Sequence, residues 1–159
     1  CDFFARMNYT IVEAKIHTTH HGYALNSFQI MAAVQSDTVY RDIMNYIEFE
    51  LADQIKQAKP ISPTASGRIS RQMKHFPIQV KAEIRPDRKG MSVLSLVFGD
   101  RPGLLARIAL MFDQRHIRLH RAKINTLGSR AEDVFWISGA ILSKPEKSSA
   151  LLAEFREKF

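Results

Sequence analysis

The sequence predicts an α+β chain built from two copies of one unit, each an antiparallel sheet with its helices on one face. The first observation is an internal repeat. Residues 9–16 (YTIVEAKI) match residues 117–124 (IRLHRAKI) at an offset of 108, and the same offset sets Phe4 on Phe112. One residue out of step, residues 27–30 (SFQI) match residues 134–137 (VFWI). The second observation is the order of periodicities in the later copy, which reads strand, helix, strand, strand, helix.

Residues 91–98 alternate as a strand. Leu104, Leu105, Ile108, Met111 and Phe112 recur at helical spacing and predict a helix over 104–114 with that face buried. Residues 117–124 form a second strand, 126–130 with Gly128 a hairpin turn, and 133–139 a third strand. Ser143 and Glu146 have the spacing of a capping box. Leu151, Leu152, Phe155 and Phe159 mark one face of a closing helix. This is the ferredoxin-like order βαββα, which folds as an antiparallel sheet with both helices on one side.

The earlier copy shows the second strand (9–18), a turn around 20–22, the third strand (24–34) and a last helix carrying Tyr40, Ile43, Met44, Ile47, Leu51 and Ile55. The repeat sets Cys1 on Ala109, in mid-helix, so this copy lacks its first strand, its turn and most of its first helix. An incomplete sheet with a free edge is an association hazard, and self-association through it is expected. Residues 60–67 (PISPTASG) read as a linker. Residues 77–85 alternate again, with Ile78, Val80, Ala82 and Ile84 on one face, and residues 86–90 (PDRKG) are a turn. They predict an extra strand paired as a hairpin with 91–98. The units are therefore 1–57, a linker 58–76, and 77–159.

At 45% hydrophobic residues the chain can bury a core. No apolar run approaches the roughly 18 residues of a membrane span, and no signal peptide is visible. The start, without Met, reads as cut from something longer. Cys1 is the single cysteine and cannot form an internal disulfide, which fits a reducing cytoplasm. The net charge of +7 is uneven: residues 1–57 hold four Lys/Arg against seven Asp/Glu, 58–92 eight against two, and 93–159 eleven against seven. Nucleic-acid binding calls for aromatics interleaved with that charge, yet Phe76 is the single aromatic between 58 and 92. A solvated basic linker and strand edge fits better.

The stretch Phe98-Gly99-Asp100-Arg101-Pro102-Gly103-Leu104-Leu105 joins strand to helix. Pro102 suits a first helical position. Gly103 removes a side chain where a ligand or another backbone approaches. The N–H groups of Gly103, Leu104 and Leu105 then lack partners within the helix, and with the helix dipole they favour a small anion such as a carboxylate. Asp100 can meet an ammonium group, so one turn has the means to hold both ends of a free amino acid. An ordinary turn with Asp100 as a local cap accounts for the same residues.

Enzyme machinery is not evident. His17, His20 and His21 cluster at a hairpin, with His116 and His120 near the second repeat, but neither cysteine nor matched carboxylate joins them as a metal set. There is no Gly-x-Ser-x-Gly elbow, Walker loop or Gly-x-Gly-x-x-Gly fingerprint. Glu132-Asp133 is an adjacent acid pair, and two acids need a pocket and perturbed pKa values before they carry chemistry.

The run GDRPGLLARI, followed by AKINTLG and AEDVF, resembles an ACT domain, a regulatory module that commonly binds amino acids. More narrowly, Lys74-His75-Phe76-Pro77 and Arg130-Ala131-Glu132-Asp133-Val134-Phe135 are similar to the C-terminal tandem ACT region of the bacterial bifunctional PII uridylyltransferases/uridylyl-removing enzymes. The resemblance covers nearly the whole chain. It implies a glutamine sensor in the cytoplasm that controls nitrogen-assimilation signalling. In such enzymes a nucleotidyltransferase domain attaches UMP to the PII signal protein and an HD-type phosphodiesterase domain removes it. Both precede the ACT pair and use divalent metal, magnesium being expected, and glutamine favours removal. This chain would then be regulatory, with no catalytic residue, cofactor or metal of its own. The family's binding mode sets the turn Asp100, Arg101, Pro102, Gly103, Leu104 and Leu105 against Thr10 of the neighbouring repeat, with Arg118 serving a second site whose turn is missing. The ACT tail of another amino-acid-controlled enzyme is an alternative, and an RNA-binding ferredoxin-like module is another, for which Phe135-Trp136 is the nearest aromatic candidate.

Overall fold

The computed structural model describes residues 2–7, 9–32, 40–57, 78–101 and 103–159. The predicted linker and Pro102 lie outside them. The elements are α1 (Asp2–Arg6), β1 (Tyr9–Thr18), β2 (Ala24–Ala32), α2 (Tyr40–Lys56), β3 (Lys81–Pro86), β4 (Ser92–Gly99), α3 (Leu104–Gln114), β5 (Arg118–Leu127), β6 (Arg130–Ser138) and α4 (Pro145–Lys158). Short 3-10 turns cover Arg88–Gly90 and Ala140–Ser143.

All six strands join in one antiparallel sheet of order β2-β1-β5-β6-β4-β3. Alternation decides which side is buried. In β6, Ala131, Asp133, Phe135 and Ile137 face inward while the residues between them are partly exposed. The same parity buries Leu94, Leu96 and Phe98 of β4. Against that face pack Phe3 and Phe4 of α1, Ile47 of α2, Leu104, Ile108, Met111 and Phe112 of α3, and Leu151 and Phe155 of α4, in one continuous core. The opposite face of the sheet is the more exposed one.

The repeat is visible in three dimensions. Phe4 lies 5.1 Å from Phe28, and their counterparts Phe112 and Phe135 lie 5.4 Å apart. Both copies carry a register shift at the same place, between Ile11 and Glu13 in the β1–β2 pairing and between Leu119 and Arg121 in the β5–β6 pairing.

The seam between the copies is the β1–β5 ladder. Its register pairs Ala14 with Ile124, Lys15 with Lys123, and Ile16 with Ala122. The repeated Ala-Lys-Ile thus pairs with itself, as a two-fold axis through the lysine pair requires. Each small alanine sits opposite the other copy's isoleucine on the inward face. Each end is clipped by an equivalent threonine: Thr126 Oγ1 donates to the Ile11 carbonyl at 3.0 Å, and Thr18 Oγ1 to the Leu119 carbonyl at 3.5 Å.

Several predicted boundaries move. The strands expected over 117–124, 133–139 and 77–85 run over Arg118–Leu127, Arg130–Ser138 and Lys81–Pro86, because cross-strand pairing extends strands through polar residues and leaves Ile78 and Val80 outside the ladder. The strand expected over 24–34 is described as Ala24–Ala32. The expected capping box does not form: α4 starts at Pro145 behind Lys144, without a side-chain cap, since Ser143 is held in the preceding 3-10 turn. β2 is one edge of the sheet, as the free edge of the first copy requires.

Ile124 is 1% exposed at the seam, so Ile124→Ala is expected to lower the unfolding free energy in urea by about 2–4 kcal/mol, and the half-buried Ile16→Ala by less. Equal small effects at both positions would show that the two copies do not share one core.

Candidate functional site

The corner between β4 and α3 is fixed at three points. The Asp100 N–H donates to the Ser129 carbonyl at 2.8 Å, which ties the end of β4 to the β5–β6 turn. Gly103 precedes α3 with φ 75° and ψ 4°, a left-handed conformation that a Cβ penalises. Its carbonyl accepts the Arg107 N–H at 3.1 Å, closing the first helical turn.

This geometry corrects two expectations. The helix begins at Leu104, two residues after Pro102. The Leu104 N–H is not free: it donates to the Arg101 carbonyl at 3.2 Å, because the left-handed Gly103 folds the chain back into a tight turn. Among the described residues, the Gly103 and Leu105 N–H groups have no backbone acceptor of this kind. Gly103 is needed here for its backbone conformation, a requirement the sequence reading did not name.

Gly103 and Leu104 are buried, while Asp100, Arg101 and Leu105 are half-buried. Arg101 Nε is enclosed without a hydrogen-bond partner. Burial pushes the Asp100 carboxyl up from its ordinary value, with the Arg101 backbone N–H opposing the shift.

In the sequence Asp133 stands as half of an acid pair within the 130–135 run; the structure makes it the one buried charged side chain among the described residues, at 1% exposure. It sits on the inward face of β6, paired across to Leu96. Its Oδ1 accepts the Asn125 N–H at 3.3 Å, and its Oδ2 has no partner. Burial is the main reason its pKa rises to about 7; the Asn125 bond opposes that, and repulsion from Asp100 adds to it. The two carboxylates therefore belong to one electrostatic neighbourhood. The signal was present in the alternation, since Asp133 shares parity with Phe135 and Ile137.

The other predicted residues are dispersed. Thr10 is at the same end of the sheet as the corner, but β5 and β6 separate β1 from β4, three strand spacings or about 14 Å. Arg118 starts β5 at the opposite end, about 27 Å along the strand from Thr126. Of the aromatic pair, Phe135 is core at 3% exposure, and Trp136 faces the other way with the Arg121 guanidinium 5.5 Å above its ring. That leaves one aromatic where base stacking calls for several. His20 and His21 lie exposed in the β1–β2 turn, and no group of three metal-ligating side chains occurs among the described residues. Two surface hollows, one along β3 and β4 beside Arg156 and one between the end of α3 and the start of α4, include none of the predicted ligand-binding residues, and His116 lines the second. No described helix is long and apolar enough to cross a membrane.

The chain is 49% identical over 154 residues to a protein of Chromobacterium violaceum named bifunctional uridylyltransferase/uridylyl-removing enzyme. It is 44% identical over 157 residues to a protein of that name from Thiobacillus denitrificans, and 46% over 143 residues to one from Aromatoleum aromaticum. These matches cover 96%, 98% and 89% of this chain but 18%, 18% and 16% of the relatives' lengths. No family model and no solved structure matches the chain.

A carboxyl with its folded pKa raised to about 7 binds a proton more tightly when folded than when unfolded. Its contribution is therefore complete below the unfolded value of about 4 and is lost as pH rises through about 7. Stability is expected to fall between pH 5 and 8, and Asp133→Asn to remove most of that fall, gaining about 2–4 kcal/mol at pH 8. Urea unfolding of both proteins at the two pH values checks it; parallel pH profiles would contradict the assignment.

Proposed function

We propose that the chain is the regulatory, amino-acid-sensing region of a bifunctional uridylyltransferase/uridylyl-removing enzyme, a tandem ACT module that binds glutamine at the β4–α3 corner. The observation that carries the reading is the corner itself: a half-buried Asp100 carboxyl and an enclosed, unpartnered Arg101 Nε precede a left-handed Gly103 at a helix start. Those groups offer opposite charges to the two ends of a zwitterion, and enclosure strengthens both. The relatives' name supplies the biological setting, and the joining of two repeats in one sheet supports the tandem arrangement.

In this reading the chemistry lies elsewhere in the longer enzyme. Attachment of UMP to the PII signal protein and its hydrolytic removal belong to preceding catalytic domains that use divalent metal, magnesium being the expected ion. The module acts in the cytoplasm by population shift: glutamine favours one arrangement of the enzyme by the difference in its affinity for the two. Thr10, on the neighbouring repeat, is the residue the family's binding mode sets against the turn, although three strand spacings separate the two here, and Arg118 belongs to a second, symmetric site.

Glutamine is expected to slow amide exchange at residues 99–105 more than elsewhere. Asp100→Ala is expected to weaken binding about tenfold through the lost charge-assisted contact, and Thr10→Ala less. Gly103→Val, which forces a β-branched residue into the left-handed region, is expected to abolish binding. Saturating glutamine without protection at 99–105, or unchanged affinity in both Asp100→Ala and Gly103→Val, would reject the corner as the site.

A further inference from the structure

Asp133 is a buried acid that the fold leaves half-satisfied. Its Oδ1 takes the Asn125 N–H, while Oδ2, on a residue 1% exposed, meets no donor. Such a group is costly to keep in a core position that any apolar residue of β-propensity would fill. Its neighbours on the inward face of β6, Ala131, Phe135 and Ile137, show what the site otherwise accepts. Nor does the fold supply a counter-ion: no ion pair to Asp133 or Asp100 occurs among the described residues. The charged or polar groups that reach Asp133 are Asp100 from the β4–α3 corner, which repels it, and the Asn125 N–H from β5. Arg101, next to Asp100, keeps its Nε unpartnered.

Two carboxyls with no cation paired to either among the described residues leave a place for a cationic donor from outside. Asp100 is half-buried at the corner and lies within electrostatic reach of the buried Asp133. We propose that Asp133, together with Asp100, receives the primary ammonium group of the bound amino acid, and that the ammonium takes the place of a proton held by Asp133 in the free protein. This rests on the reading of the corner as an amino-acid site and adds to it the inner acceptor and a proton exchange. The step balances: the carboxylic acid of Asp133 loses its proton to solvent, and the ligand's –NH3⁺ stays intact and donates to the resulting carboxylate. Net charge at the pair changes by nothing, which is why a low-dielectric site tolerates it.

A carboxyl with a pKa of about 7 is about half protonated at neutral pH, so binding is expected to release about half a proton per L-glutamine at pH 7, and less on moving to pH 8.5. Calorimetric titration of the chain with L-glutamine in two buffers of different ionisation enthalpy reads this directly, without a variant. Asp133→Asn, nearly isosteric and able to keep the Asn125 bond, is expected to abolish the release and weaken L-glutamine about ten- to a hundredfold. Glutaramic acid, which is glutamine without its amino group, is expected to bind weakly, with no proton release and equally to both proteins. L-Glutamine binding without proton release, or with the same release in Asp133→Asn, would overturn the proposal and leave the corner as an amino-acid site. Absence of any L-glutamine binding would overturn both. A neutral donor such as a trapped water on Oδ2 is told apart because it leaves the proton in place.

Discussion

The β1–β5 ladder is the constraint on which the rest of this molecule depends. It joins two repeats by letting the same three residues face themselves, Ala14 to Ile124, Lys15 to Lys123 and Ile16 to Ala122. The charges at the centre of the seam are alike and offer no attraction, since cross-strand like charges repel. What holds the seam is a backbone ladder closed by two equivalent threonines, and on the inward face an exchange of small for large side chains. Without that pairing each copy would present its β1 or β5 as a second free edge. With it, one core runs beneath both.

The seam also governs where the corner sits. β5 receives β1 on one side and β6 on the other, so the Asn125–Leu127 end of β5 lies between the first repeat and the β5–β6 turn. That turn holds Asp100 through Ser129, and Asn125 holds Asp133. Of the two groups that position these acids, Asn125 is itself part of the seam, and Ser129 lies in the turn that follows it. A change at the seam has a short physical route to the corner through Asn125, which pairs with Glu13 on one side and donates to Asp133 on the other. That route runs through two hydrogen-bonded strands.

Much of the fold was legible in the sequence. The helix over Leu104–Gln114 and the strand over Tyr9–Thr18 lie where apolar spacing puts them, because each buries one face and the spacing records which. Boundaries at polar ends were less legible, as Arg118–Leu127 shows: Thr126 belongs to the strand through cross-strand bonds that no local pattern encodes. The corner was found through its Pro-Gly step, but of the three amides expected to be free, that of Leu104 is taken. The positive φ of Gly103, which turns the Leu104 N–H toward the Arg101 carbonyl, is a conformation, and composition alone does not choose it.

The sequence by itself determined the repeat, the α+β unit, the face each strand buries and the position of the Asp-Arg-Pro-Gly turn between strand and helix, because all of these follow from local periodicity and residue chemistry. Only the tertiary structure decided that the repeats share one sheet, that Thr10 and Arg118 stand far from the corner, and that Asp133 has one oxygen bound and one bare. Those facts depend on which strands become neighbours and in what register. Register places Asn125 beside Asp133 and burial raises its pKa, and neither exists until distant parts of the chain have come together.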